Sequence, residues 1–281
     1  MAIHSTPPLS KKSHPFNLVV ISLASTMSQW SLFNYKRQPI KADHPYYPLG
    51  ISLPDYVPNG LPLSRSLPLF GTLVGAVVLS VFYFSGRRSG AASWRRVRSV
   101  DRFAACWFAL CGFLHIAFEG YYLLHRTNIS GMNTLFAQLW KEYALSDSRY
   151  LTSDTFTVCV ETITVFAWGP LSLLTLLCIS TSHPSRHLFQ TIVCVAHLYG
   201  VALYYGTNWA EQRLHNVSYS RPETLYFWVY YVGFNAPWVV VPLVLLADSY
   251  KQVVKAFRAL HEKEAKALRA VQEKETRQRS K

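Results

Sequence analysis

The sequence predicts an all-α integral membrane protein, a bundle of five transmembrane helices, and three observations support this class. Half of the 281 residues are hydrophobic and 15% are charged, against about 25% in a typical soluble domain. The net charge of +13 is confined to short connectors and one tail. Five apolar runs reach the length of about 20 residues that a helix needs to cross a bilayer.

The five apolar runs contain almost no ionisable side chains. Helices are favoured over strands because each run is too long for a strand and lacks sustained alternation of period two. An isolated strand would also leave backbone groups without hydrogen bonds in lipid. The predicted spans are 67–85, 103–124, 155–180, 188–205 and 225–247.

Basic residues in the connectors predict the orientation of the bundle. Residues 251–281 hold ten Lys or Arg against four Glu, and positive residues favour the cytosolic side. An odd number of spans places this tail on the same side as the first connector, which is also basic. We therefore expect a cytosolic C-terminus. The first connector carries Arg87, Arg88, Arg95, Arg96 and Arg98.

The spans divide the chain into four parts. Residues 1–43 are an N-terminal extension, in which a weakly apolar run after Lys11 and Lys12 resembles a signal peptide or a weak extra span. A disordered or processed extension, or a start codon set too early, fits this segment equally well. Residues 44–66 are rich in proline and are expected to approach the membrane surface in extended form. Residues 67–250 form the five-helix domain, and 251–281 form a charged helix or tail.

Several classes of function are disfavoured by these patterns. A nucleic-acid binder would spread its basic residues over one folded surface. The five cysteines lie in apolar runs without CxxC spacing, so neither a disulfide framework nor a zinc site is indicated. His183 and His187 form one HxxxH pair, whereas membrane di-iron sites need several such clusters. We therefore predict no metal and no cofactor.

Ionisable side chains inside the spans are the strongest functional signal. A carboxylate at the centre of a membrane helix costs about 2.5–3.5 kcal/mol on insertion scales, and the chain places Glu119 and Glu161 there. His115 is four residues before Glu119 and shares its helical face. Hydrogen bonding between helices is the alternative use of such residues, but two Glu and one His together favour a site.

Polar and aromatic residues at helical spacing extend this signal to a cavity shared by several spans. His197, alone on the fourth span, is expected to be a structural hydrogen bonder. Glu161, Thr164 and Trp168 share one face of the third span, and Asn235 and Trp238 share one face of the fifth.

Motifs around these residues resemble the emopamil-binding protein family, the sterol Δ8,Δ7-isomerases of the endoplasmic reticulum. The resemblance covers residues 44–255 in order and implies a multi-pass protein of that membrane with an intramembrane sterol pocket. The motifs are GFLHIAFEGY at 112–121, LWKEYALSDSRY at 139–150, FTVCVETIT at 156–164, WGP at 168–170, LYFW at 225–228 and NAPW at 235–238.

The resemblance also implies a reaction without a cofactor. The C8=C9 double bond would move to C7=C8 by protonation at C9, formation of a carbocation at C8 and proton loss from C7. His115 and Glu119 would transfer protons. Glu161, held by Thr164 and Asn235, would be a second acid/base or cation stabiliser, and Trp238 would face the cation. The implied site has catalytic His115, Glu119 and Glu161, and sterol-binding Thr164, Trp168, Tyr231, Asn235 and Trp238.

One departure from the family pattern lies on the fourth span, where His197-Leu-Tyr-Gly-Val201 replaces Gln-x-Tyr-Gly-Asp. The expected partners are sterol as substrate, cationic amphiphilic amines as inhibitors and membrane lipid, without nucleic acid, and a homodimer is compatible with them. The alternative function is a non-catalytic protein of the same superfamily that binds sterol, lipid or amines.

Overall fold

The computed structural model describes residues 44–87 and 98–280. These residues form an all-helical structure in which five helices are long and apolar enough to cross a membrane. The predicted fold class is therefore confirmed. The predictions for residues 1–43 and for the arginines between 88 and 97 lie outside the described residues.

Each predicted span lies within a helical segment, the fifth to within one residue. The first span is α1 (Leu63–Arg87); the second is α2 (Ser99–Phe113), a π-helical turn (Leu114–Glu119) and α3 (Gly120–His125). The third is α5 (Thr155–Ile163), a π-helical turn (Thr164–Trp168) and α6 (Gly169–Ser180); the fourth is α7 (Arg186–His215). The fifth is a π-helical turn (Tyr226–Gly233) and α8 (Pro237–Arg279), which continues through the charged tail. The amphipathic helix α4 (Leu135–Tyr143) and short 3-10 turns at Ile129–Gly131 and Ser148–Tyr150 lie between the second and third spans.

π-Helical turns interrupt three of the described spans, and each carries predicted site residues. The turn in the second span contains His115 and Glu119, and the turn in the third contains Thr164 and Trp168. Such turns are rare and frequently mark functional sites. Proline follows the third-span turn at position 170 and the fifth-span turn at position 237, where the missing N–H is tolerated at a helix start.

Two glycines allow the second and third spans to approach closely. A Cβ added at Gly112 would lie 2.3 Å from Cδ2 of Leu173, and one added at Gly169 would lie 2.7 Å from Cγ1 of Ile116. Small residues at such positions let membrane helices pack backbone to backbone. The two spans are thereby held together at the level of His115.

Residues 44–62, 126–154 and 216–225 form a connector layer at one end of the bundle. Nζ of Lys141 donates to the carbonyl oxygen of Val57 at 2.7 Å, and the backbone N–H of Val57 donates to the carbonyl oxygen of Ser130 at 3.0 Å. Tyr46 is only 3% exposed. Residues 44–62 therefore pack against the protein itself, and the first helix already begins at Leu63. The approach of this segment to the membrane surface stays a prediction.

A buried ion pair stabilises the connector layer. The guanidinium of Arg149 donates to the carboxylate of Asp147, with the shortest N–O distance at 2.6 Å, and both side chains are almost fully buried. Burial by itself would lower the pKa of Arg149, but the hydrogen bonds and charge of Asp147 raise it above its ordinary value. Arg149 therefore stays charged, and its contact with Asp147 lies at the start of the 3-10 turn that carries Tyr150.

Candidate functional site

A cavity of about 540 Å³ lies among the spans and below the connector layer. All five spans contribute to its wall, together with aromatic residues of α4 and of the turn at Ser148–Tyr150. Most of the wall is apolar, and the polar side chains are few. A mostly apolar pocket of about 300–1,000 Å³ with a few convergent polar groups is typical of a small-molecule site.

The structure places seven of the eight predicted site residues on this cavity. Tyr231 is the exception, because it lies in an aromatic cluster where its ring is 5.1 Å from Tyr204 and 5.0 Å from Tyr205. Its carbonyl oxygen accepts a hydrogen bond from Nδ2 of Asn235 at 2.8 Å. The residues on the cavity are His115, Glu119, Glu161, Thr164, Trp168, Asn235 and Trp238.

His115 and Glu119 form a hydrogen-bonded pair at the cavity wall. Nδ1 of His115 lies 2.8 Å and 3.0 Å from the two carboxylate oxygens of Glu119. The histidine is 3% exposed. This contact orients the imidazole and points its Nδ1 at the carboxylate, as in other histidine–carboxylate pairs.

Glu161 faces the same pair from the third span. It is 6% exposed and accepts a hydrogen bond from the hydroxyl of Tyr150 at 2.9 Å. Glu119 lies on the wall of the same cavity. Two carboxyl groups on one apolar cavity are candidates for general acid and base.

Thr164 and Asn235 make different contacts from those expected. The hydroxyl of Thr164 donates to the carbonyl oxygen of Val160 at 2.9 Å, within its own helix. Nδ2 of Asn235 donates to the hydroxyl of Tyr143 at 3.1 Å. Glu161 is therefore held by Tyr150 of the connector layer. Tyr143 and Tyr150 were not predicted as site residues because both lie outside the spans, although both belong to the motif at 139–150.

Trp238 lies on the wall of the cavity that also carries the acidic residues. Its ring centroid lies 5.4 Å from that of Trp107, which itself lies 6.4 Å from the ring of His197. The indole of Trp107 therefore packs against that of Trp238. Aromatic faces carry negative charge density and attract cations within about 6 Å, so the cavity combines carboxylates with an aromatic surface for positive charge.

His197 makes a hydrogen bond inside the bundle, as expected, and it also lies on the cavity of the site. It lines the cavity, and its Nε2 lies 3.0 Å from Nε2 of His115. The signal that could have found it is the departure from the family motif at this position on the fourth span. Its partner is 82 residues away in the chain, so spacing alone could not reveal the pair.

One group of three buried donors in the described residues could hold a metal ion. The sulfur of Cys111 and ring nitrogens of His115 and His197 lie within 4.8 Å of one another. Cys111 and His115 are spaced i, i+4 on one helical face. The Nε2 atoms of the two histidines contact each other directly at 3.0 Å.

Comparison with known proteins adds an independent finding. Residues 135–249 match the EBP family model, described as EXPERA, the expanded EBP superfamily. The 3-beta-hydroxysteroid-Delta(8),Delta(7)-isomerase of Cavia porcellus is 38% identical over 222 residues, covering 78% of this chain and 93% of the relative. The protein of the same name from Mus musculus is 37% identical over 220 residues, with the same two coverages. A probable 3-beta-hydroxysteroid-Delta(8),Delta(7)-isomerase of Oryza sativa subsp. japonica is 35% identical over 216 residues, covering 76% and 94%.

Proposed function

Because this chain belongs to the EBP family of the expanded EBP superfamily, we propose that it is a sterol Δ8,Δ7-isomerase. The observation that carries the proposal is the set of His115, Glu119 and Glu161 on an apolar cavity inside the bundle. These groups donate and accept protons, and the cavity accepts an apolar ring system. Moving a double bond within a sterol requires both properties and no cofactor.

The reaction begins when a proton held by the set of His115, Glu119 and Glu161 passes to C9. The π electrons of the C8=C9 bond form the new C9–H bond and leave a tertiary carbocation at C8. A basic group of the same set then takes a proton from C7, and the electrons of that C–H bond form C7=C8. One proton is added and one is removed, so substrate and product have the same composition. Positioned acids and bases of this kind contribute about 10²- to 10⁴-fold to rates.

The carbocation needs stabilisation without capture by water. Trp238 supplies a π face, worth about 2 kcal/mol when the site is desolvated, and Trp107 at 5.4 Å supports its ring. The carboxylates are fixed in advance by Tyr150 and His115. Preorganised charges of this kind stabilise a developing charge without the cost of reorganising solvent.

The remaining residues of the proposed site shape the pocket. Thr164, Trp168 and Asn235 contact the sterol body from the cavity wall. Tyr231 contributes indirectly, because its carbonyl oxygen holds the amide of Asn235. We place the protein in the endoplasmic reticulum membrane with the C-terminal tail in the cytosol, since basic connector residues favour that side. Membrane lipid surrounds the apolar outer faces, and a homodimer stays a prediction.

The test uses the purified chain in detergent with a Δ8-sterol, and the Δ7-sterol is measured by gas chromatography and mass spectrometry. Glu119→Gln and Glu161→Gln are nearly isosteric and should fold, yet each should slow conversion by about 10²-fold or more. Glu211→Gln, at the exposed end of the fourth span, is the matched control and should convert normally. A near wild-type rate in either site variant would show that its assigned role is wrong.

The alternative function, binding without turnover, is tested with amines. A cationic amphiphilic amine resembles the carbocation and should compete with sterol far better than its neutral carbon isostere. Equal affinity for the two would contradict a site built for positive charge. Amine binding by a wild-type protein that never forms the Δ7-sterol would favour the non-catalytic binder.

A further inference from the structure

Glu142 is a third acidic residue on the cavity wall, and the proposed reaction gives it no role. It belongs to α4 of the connector layer, whereas Glu119 and Glu161 belong to the spans. The side chain is half-buried. Its Oε1 accepts a hydrogen bond from the hydroxyl of Tyr230 at 2.8 Å. Its Oε2 has no hydrogen-bond partner among the described residues and is not enclosed by protein atoms, so it is free to accept one more bond.

Tyr230 holds the carboxyl group of Glu142 in a fixed position. The tyrosine is 7% exposed and also lies on the cavity wall. Its ring packs against Tyr226 at a centroid distance of 5.3 Å and against Phe234 at 5.2 Å. A hydroxyl held in this way presents Glu142 to the cavity in one orientation, which is what a specific polar contact requires.

The position of Glu142 gives the cavity a polar end near the bilayer surface. The groups assigned to proton transfer and cation stabilisation lie deeper. Glu161 is six residues, or about 9 Å, into the helix that begins at Thr155. Trp238 follows Tyr230 by eight residues along the fifth span, which corresponds to about 12 Å.

A sterol has polar and apolar parts that match this arrangement. Its hydroxyl group is on C3 in ring A, one ring away from C7 and C8 in ring B. A hydroxyl buried without a hydrogen bond is costly, so the cavity must supply a partner for it. The hydroxyls of Tyr143 and Tyr150, which also reach the cavity from the connector layer, already contact Asn235 and Glu161.

We propose that Glu142 binds the C3 hydroxyl of the sterol. The hydroxyl donates to Oε2, while Tyr230 keeps its bond to Oε1, and no covalent bond changes. Glu142 is therefore a specificity-determining residue that touches the substrate away from the reacting carbons. It orients the sterol with ring A toward the connector layer and ring B beside the deeper acids.

This inference rests on the proposed function, because it assumes that a sterol occupies the cavity. It adds the part of the substrate that the site selects. A site built to bind a hydroxyl rejects an analogue that lacks it, since the protein group is then left unpaired. A charged acceptor such as a carboxylate makes this contact stronger than a neutral one would.

The test compares kcat/KM for a Δ8-sterol and for its 3-deoxy analogue, using the purified full-length chain in detergent. Glu142→Leu removes the acceptor at similar volume, and Glu142→Gln keeps an uncharged acceptor. Glu211→Leu, at the exposed end of the fourth span, is the matched control variant. A Δ8-sterol with a shortened C17 side chain is the control substrate, because it changes the opposite end of the molecule.

The wild type and Glu211→Leu should prefer the hydroxysterol by about ten- to a hundredfold, the range for a hydrogen bond to a charged acceptor. This preference should fall to about three- to tenfold in Glu142→Gln and disappear in Glu142→Leu. The control substrate should lose the same factor in every variant. An equal preference in the wild type and Glu142→Leu, or none in the wild type, overturns the assignment.

Two further measurements keep the inference testable. If Glu142→Leu does not fold, Glu142→Gln decides, and an unchanged preference in that variant overturns the assignment. If the wild type converts neither sterol, the proposed function fails, and equilibrium binding of the same two sterols tests the inference alone. The wild type should then bind the hydroxysterol at least about tenfold more tightly than the 3-deoxy analogue, and equal affinities overturn the assignment.

Discussion

Substituting Tyr150 by phenylalanine removes one oxygen atom and with it the hydrogen bond that holds Glu161. The hydroxyl donates to Oε1 of Glu161 at 2.9 Å. The ring should remain in place, because it packs against Trp140 at a centroid distance of 4.8 Å and against Tyr122 at 5.3 Å. The change therefore acts on the position and charge of one carboxyl group and leaves the aromatic packing intact.

The expected loss follows from the strength of this bond. A hydrogen bond to a charged group is worth about 1.5–3 kcal/mol, and each 1.36 kcal/mol changes a rate by about tenfold. If the bond acts mainly in the transition state, Tyr150→Phe should lower kcat by about ten- to a hundredfold. A matched control is Tyr122→Phe, whose hydroxyl is equally buried but lies 3.4 Å from Thr157.

The assay is initial-rate conversion of a Δ8-sterol in detergent, with the melting temperature Tm of each variant measured beside it. Tyr150→Phe should lose rate with little loss of Tm, whereas Tyr122→Phe should keep the rate. A wild-type rate in Tyr150→Phe, or an equal loss in both variants, would refute the role given to this hydroxyl.

Three further predictions concern the aromatic wall, the metal-binding group and the connector layer. Trp238→Phe should lower kcat more than sterol affinity, by about ten- to thirtyfold, and Trp238→Leu should lower it further; equal losses of rate and affinity would make the indole a pocket wall only. Chelators should leave activity unchanged, whereas added Zn²⁺ should inhibit by binding to Cys111, His115 and His197. Cys111→Ala should raise the zinc concentration needed for inhibition. Equal inhibition of the wild type and this variant would exclude these three residues as the zinc site. Burial lowers the pKa of Lys141 to about 8 from 10.5. Between these two pH values the unfolded chain binds more protons than the folded chain. The contribution of Lys141 to the free energy of unfolding should therefore rise with pH. The difference in Tm between the wild type and Lys141→Met should therefore shift in favour of the wild type from pH 7 to pH 9.5, and a constant difference would contradict the shift.

Much of this architecture is predictable because a bilayer imposes simple rules. Length and hydropathy locate the five spans, and helical periodicity brings Glu161 and Trp238 to one cavity. The misplacement of Tyr231 has a physical reason, since it lies in a π-helical turn where one extra residue rotates the side chains from their regular positions. Tyr150 escaped prediction because it reaches the cavity from a connector, where neither hydropathy nor periodicity applies.

The π-helical turn at Leu114–Glu119 changes the direction in which side chains point around the axis of the second span. The parts of the span before and after the turn can therefore pack against two different partners. On one side of the turn, Gly112 lies against Leu173 of the third span. On the other side, the ring of Tyr122 lies 5.1 Å from that of Trp140 in the connector layer. Deleting one residue within the turn would rotate everything after it by about 100°. The two halves of the span could then no longer contact both partners at once. The turn therefore sets the angle between the two packing surfaces of this helix. The His115–Glu119 pair lies where these surfaces meet.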